Sequence, residues 1–394
     1  MQKIDRSRHL ARRTFLQADE CDLADFAALC EAPADSADFP FAAELTNGVL
    51  IYDCAALAPR LADPGFREDL IAEWADAFAN GPGVLVLQGA EPDHAMIDHA
   101  SAIFRGLIDQ QNSAGTGGGD HFARPGANDR LWNSLEKHCL ADPGNFLRYY
   151  ANPFLALVSE AWLGPFYQMT AQLNVVNPGG AAQSPHRDYH LGFQSAQAVA
   201  RYPAHVHLMS PMLTLQGAIA HVDAPIESGP TLLLPNSQKY ASGYLATAHP
   251  DFQAYFYAHA VQLPLKKGDM LFFSPALFHA AGTNRSADIK RMVNLFQVSS
   301  AYGRAMESIN RTAMVKALYP ALLAATDLSE AQISNAIAAT AEGYSFPTNL
   351  DRDPPLGGLA PKTQATLVLD ALSARWTPDA LNAALDAQAS KRQP

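Results

Sequence analysis

The chain has 394 residues, of which 48% are hydrophobic and 17% charged, so it has material for a large core and is not a disordered protein. Its formal net charge of −11 argues against nucleic acid and anionic membrane surfaces as general partners. The four cysteines form no C-x-x-C pair, and neither an apolar leader nor a long apolar segment is seen, which predicts a reduced cytoplasmic protein.

The first third of the chain, residues 1–165, is predicted to be a helical part that contains the first strands. In "FREDLIAEWADAFANGPG" the apolar positions follow the helical period until Gly81 and Pro82 end it. The run "VLVLQG" that follows is short and rich in β-formers, which predicts a buried strand. Residues 113–130 form a long glycine-rich polar segment, and loops of this length are often functional.

The middle third, residues 166–300, shows short strand-like runs that proline and glycine turns separate. "YQMTAQLNVVNPGG", for example, alternates apolar and polar residues. Several such runs at close spacing predict a mainly β core of the sandwich or jelly-roll type. We expect it to form a single catalytic domain with the rest of the chain, 1–394.

The last third, residues 301–394, is alanine-rich and is predicted to be a helical extension. "LSEAQISNAIAATAEG" opens with Ser329 and Gln332, the spacing of a capping box. These helices either wrap the β core or form a homo-oligomer contact, and the sequence leaves both alternatives open.

Two His-x-Asp pairs stand in the middle third, His186 with Asp188 in "QSPHRDYHLGF" and His221 with Asp223 in "AHVDAP". A histidine and a carboxylate two residues apart at a strand end can both reach one ion. A non-haem iron site takes two imidazoles and one carboxylate and leaves the other positions open. His279, which follows a strand in "GDMLFFSPALFHAAGTNRS", is the candidate for the third ligand. The residues alone do not decide between the two pairs.

Arg291 opens the last strand of the region, a short distance after His279. Its planar guanidinium can pair bidentately with the carboxylate of a dicarboxylic cosubstrate. Each signal is weak alone, but the order of His-x-Asp, strands, histidine and arginine is more informative.

Three segments, "PHRDYH", "IESGPTLLLPNSQK" and "GDMLFFSPALFHAAGTNRSADIKR", carry a resemblance to a known family. The chain resembles the phytanoyl-CoA dioxygenase superfamily of Fe(II)/2-oxoglutarate-dependent oxygenases over roughly residues 66–300. The resemblance implies a double-stranded β-helix, which is a jelly-roll or cupin-like barrel, with helical N- and C-terminal flanks.

The resemblance also implies a site and a reaction. It assigns Fe(II) to His186, Asp188 and His279, because His221 and Asp223 directly precede "IESGP", where the family has a strand end. It assigns the cosubstrate 2-oxoglutarate to Arg291. The implied reaction consumes O2, oxidises a C–H bond of a small-molecule metabolite, commonly by hydroxylation, and releases succinate and CO2.

Further cosubstrate contacts are implied by the same resemblance. Gln172 and Asn174 stand where the family has amides that contact 2-oxoglutarate. The family's small hydroxyl residue after the second histidine is replaced by Ala281, so Ser286 or Thr283 is the candidate for its role.

The interval between His279 and Arg291 is one residue longer than the family's pattern. Lys290 therefore stays an alternative to Arg291 as the partner of the cosubstrate carboxylate. Arg291 is preferred because its planar fork matches a carboxylate better than an ammonium group does.

The candidate substrate residues lie near the metal loop and the glycine-rich segment: His190, His121, Arg124, Arg130 and Trp132. Two other functions compete with the oxygenase. One is a cupin-like metalloenzyme acting as a lyase, isomerase or O2-only dioxygenase, and the other is a barrel that binds a ligand without turnover. The role of Arg291 and the metal content of the protein discriminate between them.

Overall fold

The structure is a computed structural model that describes residue 10 and residues 14–115 and 126–394. These residues divide into two compact units. The first comprises the described residues within 1–92, 118–130 and 174–295, and the second those within 93–117, 131–173 and 296–394.

The described strands form a large sheet and a small one. In the large sheet the order is β1-β2-β3-β8-β6-β10-β5-β4, while β7 and β9 pair with each other. The large sheet is mixed, because β2 and β3 are parallel whereas β3 with β8 and β6 with β8 are antiparallel. The bounds are β1 (Glu44–Thr46), β2 (Val49–Asp53), β3 (Val84–Gln88), β4 (Asn128–Leu131), β5 (Gln168–Val176), β6 (Thr214–Ala220), β7 (Leu232–Leu234), β8 (Met270–Phe273), β9 (Phe278–Ala280) and β10 (Arg291–Ser299).

The described helices precede, interrupt and follow these strands. In chain order they are α1 (Leu23–Cys30), α2 (Cys54–Leu57), α3 (Pro64–Ala79), α4 (His94–Ser113), α5 (Ser134–Ala141), α6 (Pro143–Tyr150), α7 (Pro153–Leu163), α8 (Ala196–Val199), α9 (Ala204–Met212), α10 (Gly243–Ala246), α11 (Pro250–His259), α12 (Arg311–Ala324), α13 (Glu330–Thr340), α14 (Gln364–Ser373) and α15 (Pro378–Arg392). None of the described helices is long and apolar enough to cross a membrane.

The buried strand predicted from "VLVLQG" is confirmed as β3, which lies between β2 and β8. Val84 and Val86 belong to one apolar cluster with Leu271 and Phe273 of β8. The first four residues of β3 are all apolar and buried, so the strand lacks the alternation of a half-exposed strand, whereas Gln88 at its end is exposed.

The small sheet lies between two apolar clusters, and its alternation decides where His279 points. Leu233, opposite His279 in the register, belongs to the cluster of the large sheet. Leu234 and Phe278, opposite each other, belong to a second cluster with Phe26 of α1. Because neighbours on a strand face opposite ways, His279 points toward the large sheet, and its ring centroid lies 4.7 Å from that of Phe273.

The middle third is less purely β than the sequence pattern indicates, because α8 to α11 lie within it. In α11, Pro250 occupies the first turn, while Phe252 and Phe256 are four residues apart and both buried. This is a helical period that the strand interpretation overlooked. The run "AVQLPLKK" forms only isolated bridges at Val261 and Leu265, since the intervening proline has no N–H for a ladder.

The second unit is largely helical, as the sequence predicts for its C-terminal part. The capping box at the start of α13 is confirmed: the Gln332 N–H donates to Ser329 Oγ at 3.3 Å, and the Ser329 N–H donates to Gln332 Oε1 at 3.0 Å. The helix predicted in "FREDLIAEWADAFANGPG", in the first unit, is confirmed as α3, which buries Leu70, Trp74 and Phe78.

Candidate metal centre

The structure brings His186, Asp188 and His279 together at one place in the first unit. The two histidines come from distant segments that pair through their backbones. The His186 N–H donates to the His279 carbonyl at 3.0 Å, and the His279 N–H donates to the His186 carbonyl at 3.2 Å. His186 therefore pairs with β9 as a single residue beside the β7–β9 sheet. The imidazole centroids of His186 and His279 lie 4.4 Å apart.

Both imidazoles present Nε2 to the carboxylate. Their Nδ1 atoms donate to carbonyls at 2.8 Å, from His186 to Ser184 and from His279 to Leu277. Because a carbonyl only accepts, Nδ1 carries the proton and the neutral ring has its lone pair on Nε2. His186 Nε2 lies 3.7 Å from Asp188 Oδ1, and His279 Nε2 lies 3.4 Å from Asp188 Oδ2.

These separations fit one metal ion. Both are shorter than twice a metal–ligand bond of about 2.1 Å, so an ion between the side chains reaches all three. Two imidazoles and one carboxylate are the donor set of non-haem Fe(II) sites that keep open positions. The His186 side chain is 33% exposed whereas that of His279 is 7% exposed, so the site is open to solvent on the His186 side.

Asp188 is held as a carboxylate. Burial alone would raise its pKa, but without a metal a proton on Nε2 of His279 or His186, together with the amide of Gln216, holds the pKa below its ordinary range. The Gln216 Nε2 donates to Asp188 Oδ2. Sequence reasoning missed Gln216, although it is the one amide in the apolar run "TLQGAIA" of β6.

Arg187, between the two metal-facing residues, points away from them, as expected for adjacent residues on an extended segment. Its guanidinium is buried and donates to the carbonyls of Ser237 and Tyr240 at 2.6 and 2.9 Å. Ser237 Oγ in turn accepts the Phe278 N–H at 2.8 Å. The turn at Ser237 therefore ties the segment of His186 and Asp188 to the strand of His279.

Arg291 is buried and begins β10, whereas the alternative Lys290 is exposed. Arg291 Nη1 donates to the Ser228 carbonyl at 3.4 Å, and among the described residues no carboxylate pairs with it. Burial lowers the pKa of Arg291 to about 10, so it is still charged at neutral pH. A buried cation without an anion is costly, whereas an exposed ammonium group such as that of Lys290 is solvated by water.

Gln172 and Asn174 lie on β5 and are both buried. They therefore do not form a solvent-exposed polar face. Gln172 Nε2 donates to Met306 Sδ at 3.4 Å, in the second unit. Asn174 Oδ1, in the first unit, is buried and has no hydrogen-bond partner in the described part of the chain.

Ser286 lies in the turn before β10, and its hydroxyl is used within that turn. Ser286 Oγ donates to Asn284 Oδ1 at 2.6 Å, while the Asn284 amide donates to the Val176 and Ile289 carbonyls at 2.9 and 2.8 Å. These bonds indicate that Ser286 shapes the turn.

The second His-x-Asp pair has a different environment. His221 is fully buried directly after β6, while Asp223 is exposed and accepts the Lys267 N–H at 2.9 Å. In the described ranges, His186, Asp188 and His279 are the only group of three such side chains close enough to hold an ion.

The candidate substrate residues are placed unevenly. His190 is half-buried directly behind the metal loop, where Tyr189 and His190 have φ values of 62° and 40°. A non-glycine residue with positive φ is strained, and such strain is often found at functional sites. Arg130 lies in β4 in the first unit, Trp132 lies in the second unit, and both are half-buried. His121 and Arg124 lie outside the described residues.

A family model described as Phytanoyl-CoA dioxygenase (PhyH) matches residues 66–292, which is more than half of the chain. The chain belongs to the phytanoyl-CoA dioxygenase family. The resemblance drawn from the sequence motifs is confirmed. The donor set of the candidate metal centre, two imidazoles and one carboxylate, is consistent with this membership.

Curated relatives match over shorter segments. The chain is 30% identical over 139 residues to "Iron/alpha-ketoglutarate-dependent dioxygenase ausU" of Aspergillus calidoustus, covering 35% of this chain and 41% of that protein. It is 26% identical over 147 residues to "Dioxygenase andF" of Emericella variicolor, covering 36% and 45%. The matches thus span less than half the length of these relatives.

Among solved structures, the non-heme alpha ketoglutarate dependent epimerase SnoN from nogalamycin biosynthesis is 18% identical, with a TM-score of 0.40, covering 61% of this chain and 82% of that one. The non-heme alpha ketoglutarate dependent carbocyclase SnoK is 19% identical, with a TM-score of 0.42, covering 60% and 86%.

Proposed function

We propose that this member of the phytanoyl-CoA dioxygenase family oxidises an unactivated C–H bond of a small-molecule metabolite, with O2 and 2-oxoglutarate as cosubstrates. The observation that carries the proposal is the convergence of His186, Asp188 and His279, with Nε2 of both rings facing the carboxylate. The buried Arg291 has no carboxylate partner in the described residues, which supports 2-oxoglutarate as the ligand that pairs with it.

In this proposal His186, Asp188 and His279 hold Fe(II), which when bound supplies the oxygen-activating chemistry of the reaction. The remaining work belongs to the protein. The carbonyls of Ser184 and Leu277 fix the tautomers and the orientation of the two rings. Gln216 holds the carboxylate of Asp188 from the other side.

Arg291 binds the distal carboxylate of 2-oxoglutarate in the proposed arrangement. Its burial excludes water from the ion pair, so the attraction is stronger than between exposed groups. Gln172 and Asn174 are proposed as further amide contacts to the cosubstrate, and the unpaired Asn174 Oδ1 supports a polar ligand there.

We also propose that the large sheet and the small sheet are the two layers of a double-stranded β-helix. The small sheet supports this, because its Leu233 belongs to the same apolar cluster as Val84 and Leu271 of the large sheet.

The protein is proposed to act in the cytoplasm on a free metabolite, with the helical extension 301–394 as the contact of a homo-oligomer.

The test is anaerobic loading of the purified protein with Fe(II), followed by addition of 2-oxoglutarate and air. We expect succinate to be released in an iron-dependent reaction, with or without a coupled substrate. Succinate release that does not depend on iron, or none at all with iron bound, would contradict the proposal. If a substrate is turned over in an iron-dependent reaction that needs no 2-oxoglutarate and survives Arg291→Ala, the cupin-like alternative is correct.

A further inference from the structure

The strand β6 reaches the candidate metal centre in a fixed register. Gln216 is opposite Phe273 on β8, and Gly217 is opposite Phe272. A Cβ added at Gly217 would lie 2.3 Å from the ring of Phe272, so the two strands could not pair at this distance with a larger residue there. The glycine therefore lets β6 pair closely with β8, which keeps the neighbouring Gln216 opposite Phe273.

Phe273 and Gln216 contact different residues of the candidate metal centre, Phe273 the ring of His279 and Gln216 the carboxylate of Asp188. The ring of Phe273 is 4.7 Å from that of His279, and the amide of Gln216 donates to Asp188 Oδ2. Oδ2 is also the carboxylate oxygen that faces His279 Nε2, at 3.4 Å. Oδ1 accepts no hydrogen bond within the described residues, so both of its lone pairs stay available to a metal, whereas one of the two on Oδ2 is taken by Gln216.

The buried amide of Gln216 lowers the stability of the folded state at this position. The residue is 5% exposed, and its Oε1 is buried without a hydrogen-bond partner in the described part of the chain. A leucine or methionine would fill the same space without an unpaired acceptor. The cost is explained if the N–H half of the amide has a function that an apolar side chain cannot supply.

We propose that Gln216 is the positioning residue of the metal centre, whose amide holds Asp188 Oδ2 and so directs Oδ1 to the iron. This inference rests on the proposed function, because it takes His186, Asp188 and His279 as the iron ligands. Groups that bind a ligating carboxylate from behind commonly change metal affinity by roughly 10- to 100-fold when they are removed.

The experiment compares Gln216→Met with Gln297→Met. Gln297 of β10 is a matched control, since it is also buried, at 6% exposed, and its Oε1 also lacks a partner in the described residues. Methionine keeps the length of the side chain and removes both amide functions. For each full-length protein, calorimetry with Fe(II) under nitrogen gives the metal Kd, and thermal unfolding without metal gives Tm.

We expect Gln216→Met to raise the Fe(II) Kd roughly 10-fold or more while its metal-free Tm stays as close to wild type as that of Gln297→Met. Gln297→Met should leave the Kd unchanged. An unchanged Kd in Gln216→Met, or equal losses of affinity in both variants, would overturn the inference. A wild-type protein that binds iron but forms no succinate would overturn the proposed function alone, while a wild-type protein that binds no iron would overturn both.

Discussion

Arg291 is buried in the first unit and Arg311 is mostly buried in the second, and the two show how differently a fold treats the same cation. Arg311, in the second unit, donates to the carbonyls of Met169, Ala339 and Thr340 at 3.0, 3.3 and 3.3 Å, and its Nε lies 3.8 Å from Glu342 Oε2. Arg291, in the first unit, has one long hydrogen bond to a carbonyl and no anion within the described residues. The hydrogen bonds and the anion of Arg311 come from the chain itself, which indicates a structural role, whereas the single long hydrogen bond of Arg291 leaves its guanidinium available to a ligand.

The largest effect should come from the carboxylate of the metal centre. Asp188→Ala removes the only anion of the donor set, so we expect iron content and succinate release to fall to background. Metal analysis of the purified protein and an assay for succinate measure this. His221→Gln is the control, and it should keep its iron. If Asp188→Ala kept full iron content while His221→Gln lost it, the other His-x-Asp pair would be the metal pair.

The next effect tests Arg291 directly. Arg291→Gln should raise the KM for 2-oxoglutarate roughly 30-fold or more, equivalent to ~2 kcal/mol, because the distal carboxylate loses its charged partner. The Fe(II) affinity should not change. Lys290→Gln is the matched control, and an equal rise in KM from it would show that the lysine is the carboxylate partner instead.

A buried histidine of the second unit gives a smaller effect, on stability. His138 lies among Phe104, Phe146 and Tyr149, and burial lowers its pKa to about 4, despite a hydrogen bond with Asn145. Since the unfolded chain has a pKa near 6.5, the unfolded state binds the proton first as the pH falls. The free energy of unfolding should therefore fall by about 3 kcal/mol on account of His138, progressively between about pH 6.5 and pH 4.

Urea unfolding of wild type and His138→Phe at pH 7 and pH 4.5 measures this contribution. The variant should lose less stability between the two pH values than wild type does. Parallel losses in the two proteins would show that other groups carry the acid sensitivity.

The smallest effect completes the comparison of the arginines. Arg311→Gln should lower the free energy of unfolding by about 2 kcal/mol, because carbonyls and a partly buried Glu342 lose their partner. Its KM for 2-oxoglutarate should equal that of wild type, which steady-state kinetics checks. A KM effect as large as that of Arg291→Gln would mean that burial without an anion does not distinguish the two roles.

Much of this could be predicted from local patterns. The strand β3, the helix α3 and the capping box of Ser329 depend on short sequence signals, and the order of His186, Asp188, His279 and Arg291 indicated the site. Gln216 could not be predicted, because its role depends on the register of β6 against β8 and not on its neighbours in sequence. The helix α11 was missed because its aromatic residues suit strands as well as helices.

The backbone pairing of His186 with His279 has a consequence for how the centre assembles. The two segments are joined by peptide groups, so the iron is not needed to bring its own ligands together. A chelator should therefore leave an empty but already formed cradle, and iron should return without the ordering cost that metal-dependent folding carries. For the same reason, alanine at either histidine removes the imidazole but keeps the two backbone hydrogen bonds that join the segments.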